Sequence, residues 1–124
     1  MSTRSIVGII GPNGLASTQY VHSDGYPSYV GKMLLENYSS REKVKALLEL
    51  GDLSSLRDSP TSTVAYHRDR GEDLAPPWVG MPEKASQEEY LYLFDARPDS
   101  SNYGGWLYAV GSGRLSLMTY ADTE

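Results

Sequence analysis

Glycine and proline interrupt this chain at short intervals, and this feature limits its possible folds most strongly. Twelve glycines and seven prolines occur in 124 residues. Glycine permits the backbone angles of tight turns, and proline cannot continue a helix or a central strand, so long uninterrupted elements are excluded. The length is also close to the commonest domain size. We therefore expect a single domain over residues 1–124, built from short elements joined by many turns.

The composition indicates a globular protein with an acidic charge balance. Hydrophobic residues make up 40% of the chain and charged residues 22%, which is too apolar for a disordered tail. Eleven basic and sixteen acidic side chains give a net charge of −5. This balance argues against a general nucleic-acid binder, because phosphate contacts need positive charge. The absence of cysteine excludes disulfides and thiolate chemistry.

The sequence also predicts no membrane span and no signal peptide. A membrane-spanning helix needs a run of about 18 apolar residues, and the chain contains none. Residues 1–11 do not have the charged and then apolar pattern of a secretory leader. We therefore expect a small cytoplasmic domain.

Tyrosine dominates the aromatic residues, with ten tyrosines against one phenylalanine. A tyrosine side chain combines a large apolar ring with a polar tip, so it suits half-exposed surfaces and protein interfaces better than a dry core. We expect many of these rings to line a sheet that has one exposed face.

The first 27 residues predict a β-hairpin. Residues 5–10 are apolar and β-branched, and Gly11-Pro12-Asn13-Gly14 follows them as a turn in which glycine supplies a positive φ. Residues 15–23 form the predicted return strand. Asp24-Gly25-Tyr26-Pro27 ends it, because proline cannot extend a strand ladder.

Two helices are predicted next. The first opens at Pro27 or Ser28, and its apolar residues recur at helical spacing at Val30, Met33, Leu34 and Tyr38. The second begins at a capping box in which Ser39 is followed three residues later by Glu42, and it ends at Gly51. Its apolar stripe consists of Val44, Leu47 and Leu48.

The C-terminal third returns to strands. Residues 63–66 are a candidate strand, and residues 75–83 form an irregular proline-rich loop. Residues 89–95 are apolar on both faces, which indicates a central strand. A second hairpin is predicted from residues 105–110 and 114–120 around Gly111-Ser112-Gly113.

This order of elements predicts the fold class. In a parallel sheet, strands alternate with helices along the chain, whereas this chain has two strands, two helices and then further strands. We expect an α+β domain with an antiparallel sheet of about four or five strands and two helices packed on one face. The predicted core consists of Ile6, Ile9, Val44, Leu47, Leu48, Leu91 and Leu93.

Both histidines occur in the same local pattern, as His22-Ser23-Asp24 and His67-Arg68-Asp69. On an extended strand, residues two apart share a face, so each pattern would place an imidazole beside a carboxylate. Such a pair can serve acid–base chemistry or help to bind a metal ion. The structural alternative is that Asp24 and Asp69 are turn-forming residues at strand ends.

We take ten side chains around these pairs as candidate binding residues. They are His22, Asp24, Tyr26, Tyr29, His67, Arg68, Asp69, Arg70, Glu72 and Trp78. In one interpretation, the two arginines bind Asp24 or Glu72, and this scaffold presents the aromatic members to a partner protein. In the other, the same groups, with Asp73 as a further oxygen ligand, bind phosphate or a divalent cation. Both require the Asp24 turn and residues 67–73 to converge.

Several motifs together resemble a family of small, uncharacterised bacteriophage and prophage proteins. They are Met1-Ser-Thr-Arg-Ser5, Tyr20-Val-His-Ser-Asp-Gly-Tyr-Pro27, Gly31-Lys-Met-Leu-Leu-Glu-Asn-Tyr38, Gly51-Asp-Leu-Ser-Ser-Leu56, Tyr66-His-Arg-Asp-Arg-Gly-Glu-Asp73 and Glu89-Tyr-Leu-Tyr-Leu-Phe94, followed by Trp106. The resemblance implies a phage origin and a host-cell setting, without implying an activity. In that family a cysteine and a tryptophan often flank the first histidine, where this chain has Val21 and Ser23, so a metal site that used the cysteine would lack that ligand here.

These observations lead to two functional expectations. The first is a small phage-encoded protein of the host cytoplasm that binds a host protein or a defence component, without catalysis, metal or cofactor. The alternative is an enzyme or small-ligand binder that uses the two His-x-Asp pairs on a phosphate or metal.

Overall fold

The computed structural model describes residues 3–85, 88–111 and 113–124, which form a small α+β structure dominated by one sheet. The strands are β1 (Ser5–Ile10), β2 (Ala16–Val21), β3 (Leu53–Ser55), β4 (Val64–Ala65), β5 (Trp78–Gly80), β6 (Tyr90–Asp95), β7 (Trp106–Val110) and β8 (Ser116–Leu117). The helices are α1 (Lys32–Asn37), α2 (Arg41–Leu48) and α3 (Tyr66–Arg70), with a π-helical turn at Pro27–Gly31 and 3₁₀ turns at Pro82–Lys84 and Tyr120–Thr123.

The sheet is mixed, so the predicted fold class is wrong. Its eight described strands run in the order β4-β3-β2-β1-β6-β7-β8, and β5 pairs with β2 beside this path. The β1–β6 and β2–β3 pairs are parallel, and the other pairs are antiparallel. The structure thus has more strands than the four or five expected, only a few short helices, and a sheet that is not wholly antiparallel.

This error has two physical reasons: several strands are very short, and one pair of strands joins segments that are far apart in the sequence. Strands β3, β4, β5 and β8 have only two or three residues, which is too short for an alternating pattern. The parallel β1–β6 pairing joins segments far apart in the chain, with Ser5 opposite Tyr90 and Ile10 opposite Asp95. Local order of elements carries no information about such a pairing.

The first hairpin is confirmed. Strands β1 and β2 pair along their full length, from Ser5 opposite Val21 to Ile10 opposite Ala16. In the connecting turn, Gly14 has a φ of 83°, and the side chain of Asn13 accepts a hydrogen bond of 3.1 Å from the amide of Leu15. The turn therefore depends on a residue without a Cβ at position 14.

Both faces of the sheet are buried, and the central position of β6 is confirmed. Tyr92 and Phe94 pack on the face that also contacts the helices, while Leu91 and Leu93 pack on the opposite face. The first cluster contains Val7, Val21, Val30, Leu34, Tyr38, Val44 and Leu47. The second contains Ile6, Ile10, Ala16, Leu107 and Ala109, with Ala85 and Leu115 from segments outside the strands.

Most of the predicted core is confirmed. Ile6, Val44, Leu47, Leu91 and Leu93 are buried. Ile9 and Leu48 are only half-buried and pack against the edge of the core. Three tyrosines, Tyr90, Tyr92 and Tyr108, stack on the helix face of β6 and β7 with ring centroids 6.4 Å apart in each neighbouring pair.

The helix boundaries differ slightly from the predicted ones. The first helical segment opens at Pro27 as a π-helical turn and continues as α1. The cap of α2 is Ser40 rather than Ser39, since the Ser40 side chain accepts a hydrogen bond from the amide of Lys43. Gly51, shortly after α2, has a φ of 82°, as the predicted helix stop requires.

The remaining segments correct two local predictions. The strand predicted at residues 63–66 is reduced to β4, and the charged stretch after it folds as α3. The proline-rich segment predicted as a loop contains β5. Strands β7 and β8 form the second hairpin, with Leu107 opposite Leu117, although Ser112 lies outside the described residues. No helix in the described ranges is long and apolar enough to cross a membrane.

Candidate functional site

Helix α3 contains four of the predicted site residues and is organised by its own side chains. The amide of Ala65, the residue just before the helix, donates a 2.7 Å hydrogen bond to the carboxylate of Asp69. Gly71 closes the helix with a φ of 69°. Hydrogen bonds from the Arg68 side chain and from the Ala65 amide hold the pKa of Asp69 below its usual range. Asp69 therefore acts as a helix-terminal acceptor.

Arg68 joins α3 to the preceding loop. Its guanidinium donates to the carboxylate of Asp69 at 2.9 Å, to the carbonyl of Pro60 at 2.8 Å and to the carbonyl of Thr63. The sequence interpretation had this guanidinium binding Asp24 or Glu72. That prediction is wrong, because the neighbouring carboxylate and the carbonyls of residues 60–63 occupy its donors.

The two histidines do not pair with the carboxylates two residues after them. The His67 pattern lies on a helix, where residues two apart do not share a face. Nδ1 of His67 instead hydrogen-bonds to the carbonyl of Glu72 at 2.7 Å. Nδ1 of His22 lies 2.8 Å from the hydroxyl of Tyr20. The expected imidazole–carboxylate pairs are therefore wrong, since they assumed an extended backbone.

The Asp24 turn supplies the next group of predicted residues. Asp24 has a φ of 56°, in the left-handed region, and its carboxylate accepts a hydrogen bond of 3.4 Å from the hydroxyl of Tyr26. Asparagine and aspartate tolerate this conformation better than most residues, which explains an aspartate in the turn. The Tyr29 hydroxyl donates a 2.9 Å hydrogen bond to the carbonyl of Leu56 and so joins the π-helical turn to the residue after β3.

The Asp24 turn and α3 both contact Ser54. The amide of Ser23 donates to the Ser54 carbonyl at 3.1 Å, and the guanidinium of Arg70 donates to the Ser54 hydroxyl at 3.2 Å. Strands β2, β3 and β4 lie side by side here, and adjacent strands are about 4.8 Å apart. The two segments nevertheless leave β3 in opposite directions: Ser23 leads to Asp24 beyond the Ser54 end of the strand, whereas α3 starts beside Asp52, whose carbonyl accepts from the Tyr66 amide. The structure joins the Asp24 turn to residues 67–73 through these contacts with Ser54, and Arg70 also lies over the Tyr66 ring at 5.2 Å.

A small polar pocket lies beside α3, on the side away from the Asp24 turn. It has a volume of about 230 Å³ and is lined by Tyr20, Asp52, Tyr66, His67, Glu72, Asp73 and Ala75. Its three carboxylates make it unfavourable for phosphate. Among the residues that the structure describes, no group of three histidine, aspartate or glutamate side chains is arranged to hold a metal ion.

A larger concave feature, which we call the apolar groove, lies between α2 and β2. It has two adjoining lobes of about 620 Å³ and 420 Å³, and both are lined by Ile9, Ser17 and Lys45. The first lobe is bounded by Leu48, Leu74, Pro76 and Pro77, and the second by Leu15, Arg41 and Val79. The sequence reasoning missed this groove, although the half-buried Ile9 and the proline-rich segment both belong to it.

The groove exists because the chain beside β2 is only partly a strand. Val79 pairs with Ser17, but the prolines at 76 and 77 prevent the preceding residues from extending that ladder. The side chain of Gln19 donates a 3.4 Å hydrogen bond to the carbonyl of Ala75, which holds residues 74–77 at the groove. This segment and α2 therefore form opposite walls above Ile9 and Ser17.

The charges of the groove lie on the α2 wall. Arg41, Lys45 and Glu49 follow one another at four-residue spacing and all line the groove. Arg41 and Lys45 are exposed and take part in no ion pair within the described ranges, where the ion pairs are Arg68–Asp69 and Arg97–Asp95. The groove thus has an apolar floor and an α2 wall with two basic residues, Arg41 and Lys45, followed by the acidic Glu49.

Exposed apolar side chains adjoin the groove. Leu74 is 52% exposed and Val79 is 55% exposed, and Trp78 and Met81 are also exposed on the same segment. Trp78, a predicted binding residue, pairs with Thr18 in the first half of β2, whereas Tyr26 follows the far end of that strand. The structure therefore places Trp78 on the strand that borders the groove, with its side chain on the opposite face from Val79, and does not join it to the Tyr26 surface.

Comparisons of this chain with protein-family models, with curated proteins and with solved structures gave no match.

Proposed function

We propose that this protein acts by binding a partner protein through the apolar groove, without catalysis. The observation that carries the proposal is the combination of a concave apolar floor with exposed Leu74 and Val79 at its wall. Exposed apolar side chains beside a concave surface cost solvation free energy in the isolated protein and regain it when a partner covers them.

The chemistry of the groove favours binding over catalysis. Its polar side chains are the Ser17 hydroxyl, the amides of Asn13 and Gln19 and the charged groups of α2, and neither histidine lines it. A serine nucleophile needs a positioned base, and the imidazoles are hydrogen-bonded elsewhere, to Tyr20 and to the Glu72 carbonyl.

The biological setting is part of the same proposal. The motif resemblance supports a phage-encoded protein, which makes a host protein or a defence component the expected partner. The lack of cysteine fits a reducing compartment such as the host cytoplasm.

The polar pocket supports a second candidate function, the binding of a small ligand. It gathers His67, Glu72 and Tyr20 around about 230 Å³. Its carboxylates disfavour phosphate, and its arrangement offers no three-ligand metal site among the described residues. The three carboxylates favour a small organic cation, so this candidate would be supported if a diamine such as putrescine raised the melting temperature of the wild-type chain and not that of a Glu72→Gln variant.

The main proposal is tested by comparing Val79→Glu with Val110→Glu in affinity capture from a host lysate. Both valines are on strands and both are 55% exposed, but only Val79 lines the groove. We expect the wild-type chain and Val110→Glu to retain the same partner and Val79→Glu to lose it. Equal capture by the two variants would contradict a role for the groove.

A further inference from the structure

We propose that the apolar groove binds an extended protein segment in which acidic and apolar residues alternate. This inference rests on the proposed function and specifies the chemistry of the partner. It follows from the difference between the two walls of the groove, since Arg41 and Lys45 lie on the α2 wall and Leu74 and Val79 lie on the opposite one.

The spacing of the basic residues favours an extended ligand. Arg41 and Lys45 are four residues apart on a helix, so their Cα atoms are separated by about 6 Å along the axis. In an extended chain, residues two apart on the same side are separated by about 6.6 Å. Two acidic side chains at positions i and i+2 of the segment therefore match the two basic side chains.

The apolar positions follow from the same geometry. Successive side chains of an extended segment point in opposite directions, so the residue between two acidic ones points away from α2. On that side it meets Leu74, Val79 and the proline rings of residues 76 and 77. The pattern acidic–apolar–acidic thus places each side chain against a wall of matching chemistry.

Charge complementarity also gives a role to the two basic residues of the α2 wall on an otherwise acidic protein. The chain has a net charge of −5, yet Arg41 and Lys45 have no ion-pair partner within the described part of the chain. A carboxylate between them would gain attraction in a partly apolar surrounding, where screening by water is reduced. A lysine-containing segment would instead leave both cations beside a like charge.

The inference is tested with three fluorescent peptides that share leucines and differ at the alternate positions. The sequences are Leu-Asp-Leu-Asp-Leu, Leu-Asn-Leu-Asn-Leu and Leu-Lys-Leu-Lys-Leu, each flanked by glycines, so that the two variable positions match Arg41 and Lys45. Binding is measured by fluorescence anisotropy. We expect the aspartate peptide to bind about tenfold more tightly than the asparagine peptide, and more weakly as salt is added. The lysine peptide should show the weakest binding.

Charge reversal supplies the matched variants. Arg41→Glu combined with Lys45→Glu should reverse the preference in favour of the lysine peptide. Lys43→Glu, an equally exposed change on α2 that lies outside the groove lining, should leave the preference unchanged. All three positions are exposed, and circular dichroism checks that the variants fold.

The outcomes separate this inference from the proposed function. Equal affinity for the aspartate and asparagine peptides, or no effect of the double reversal, would overturn the acidic-segment inference. If no peptide binds but Val79→Glu still loses the captured partner, the inference fails and the groove keeps its proposed function. If Val79→Glu also captures the partner normally, both fail.

Discussion

The indole nitrogen of Trp106 donates a hydrogen bond of 2.9 Å to the backbone carbonyl of Tyr38. This bond joins the start of β7 to the end of α1, and both residues are buried. Helix ends leave carbonyl groups without intrahelical partners, and this buried one is satisfied by a side chain from a distant strand.

Trp106→Phe should therefore lower the free energy of unfolding by about 1–3 kcal/mol, because the Tyr38 carbonyl loses its buried donor. Urea unfolding measures the change. Trp78→Phe is the matched control, since Trp78 is 39% exposed and its loss should have a smaller effect. Equal losses for the two variants would show that the buried hydrogen bond contributes little.

Leu47→Ala should cost about 2–5 kcal/mol of stability, because Leu47 is fully buried between α2 and the sheet and its truncation leaves a cavity. Leu48→Ala, at the adjacent half-buried position, should cost less and should weaken partner binding, because Leu48 lines the groove. Thermal unfolding and affinity capture measure the two effects. A smaller loss for Leu47→Ala than for Leu48→Ala would show that the assigned core face is wrong.

The Asp95 carboxylate makes the stability of the folded protein depend on pH. Burial opposes its ionisation, but hydrogen bonds from Arg97 and Ser100 outweigh that effect and hold the pKa of Asp95 below its usual range. Because the pKa of Asp95 is lower in the folded chain than in the unfolded chain, the ionised carboxylate stabilises the fold at pH values above about 4, its pKa in the unfolded chain. This stabilisation is lost as the pH falls through the pKa of Asp95 in the folded chain.

Asp95→Asn should therefore be less stable than the wild type by about 1–3 kcal/mol at pH 7, and the difference should narrow below about pH 4. Chemical unfolding at pH 7, 5 and 3 measures the difference. Asp99→Asn, at an exposed position of the loop that follows β6, is the control and should change little. A difference that stays constant with pH would contradict the assigned role of the Asp95 carboxylate.

Gly51→Ala and Gly14→Ala should have similar effects on stability but different effects on binding. Both glycines have a φ near +83°, so an added Cβ costs about 1–2 kcal/mol at either position. At Gly14 the added atom meets open space, whereas at Gly51 it would lie 2.7 Å from Cδ1 of Leu74. Only Gly51→Ala should displace the groove-lining Leu74 and weaken peptide binding in the anisotropy assay. Unchanged binding by Gly51→Ala would contradict a role for Leu74.

The parts of the fold that were predictable from sequence are those whose signals are local. Asn13-Gly14 marked the first hairpin, and the apolar residues on both sides of residues 90–95 indicated a central strand. The β1–β6 pairing was not predictable, since it depends on contacts between distant segments. The sequence also suggested strand geometry for His67 and Asp69, but these residues lie on α3. The Asp69 carboxylate accepts a hydrogen bond from the Ala65 amide at the start of this helix and so stabilises it.

The candidate site was less predictable than the fold. Its walls come from α2 and from residues 74–79, and its floor contains Ile9 and Ser17, so no single stretch of sequence carries its pattern. Arg41 and Lys45 lie on the polar side of the α2 pattern and are exposed, but nothing in that pattern reveals the wall opposite them.

The parallel pairing of β1 with β6 has a consequence for synthesis on the ribosome. The β1–β2 hairpin can form early, but its second neighbour exists only after residues 90–95 have been translated. Translation proceeds at about 5–20 residues per second, so the edge of β1 that later pairs with β6 stays unpaired for several seconds. During that interval the nascent chain presents Ile-Val-Gly-Ile-Ile to other chains and to chaperones.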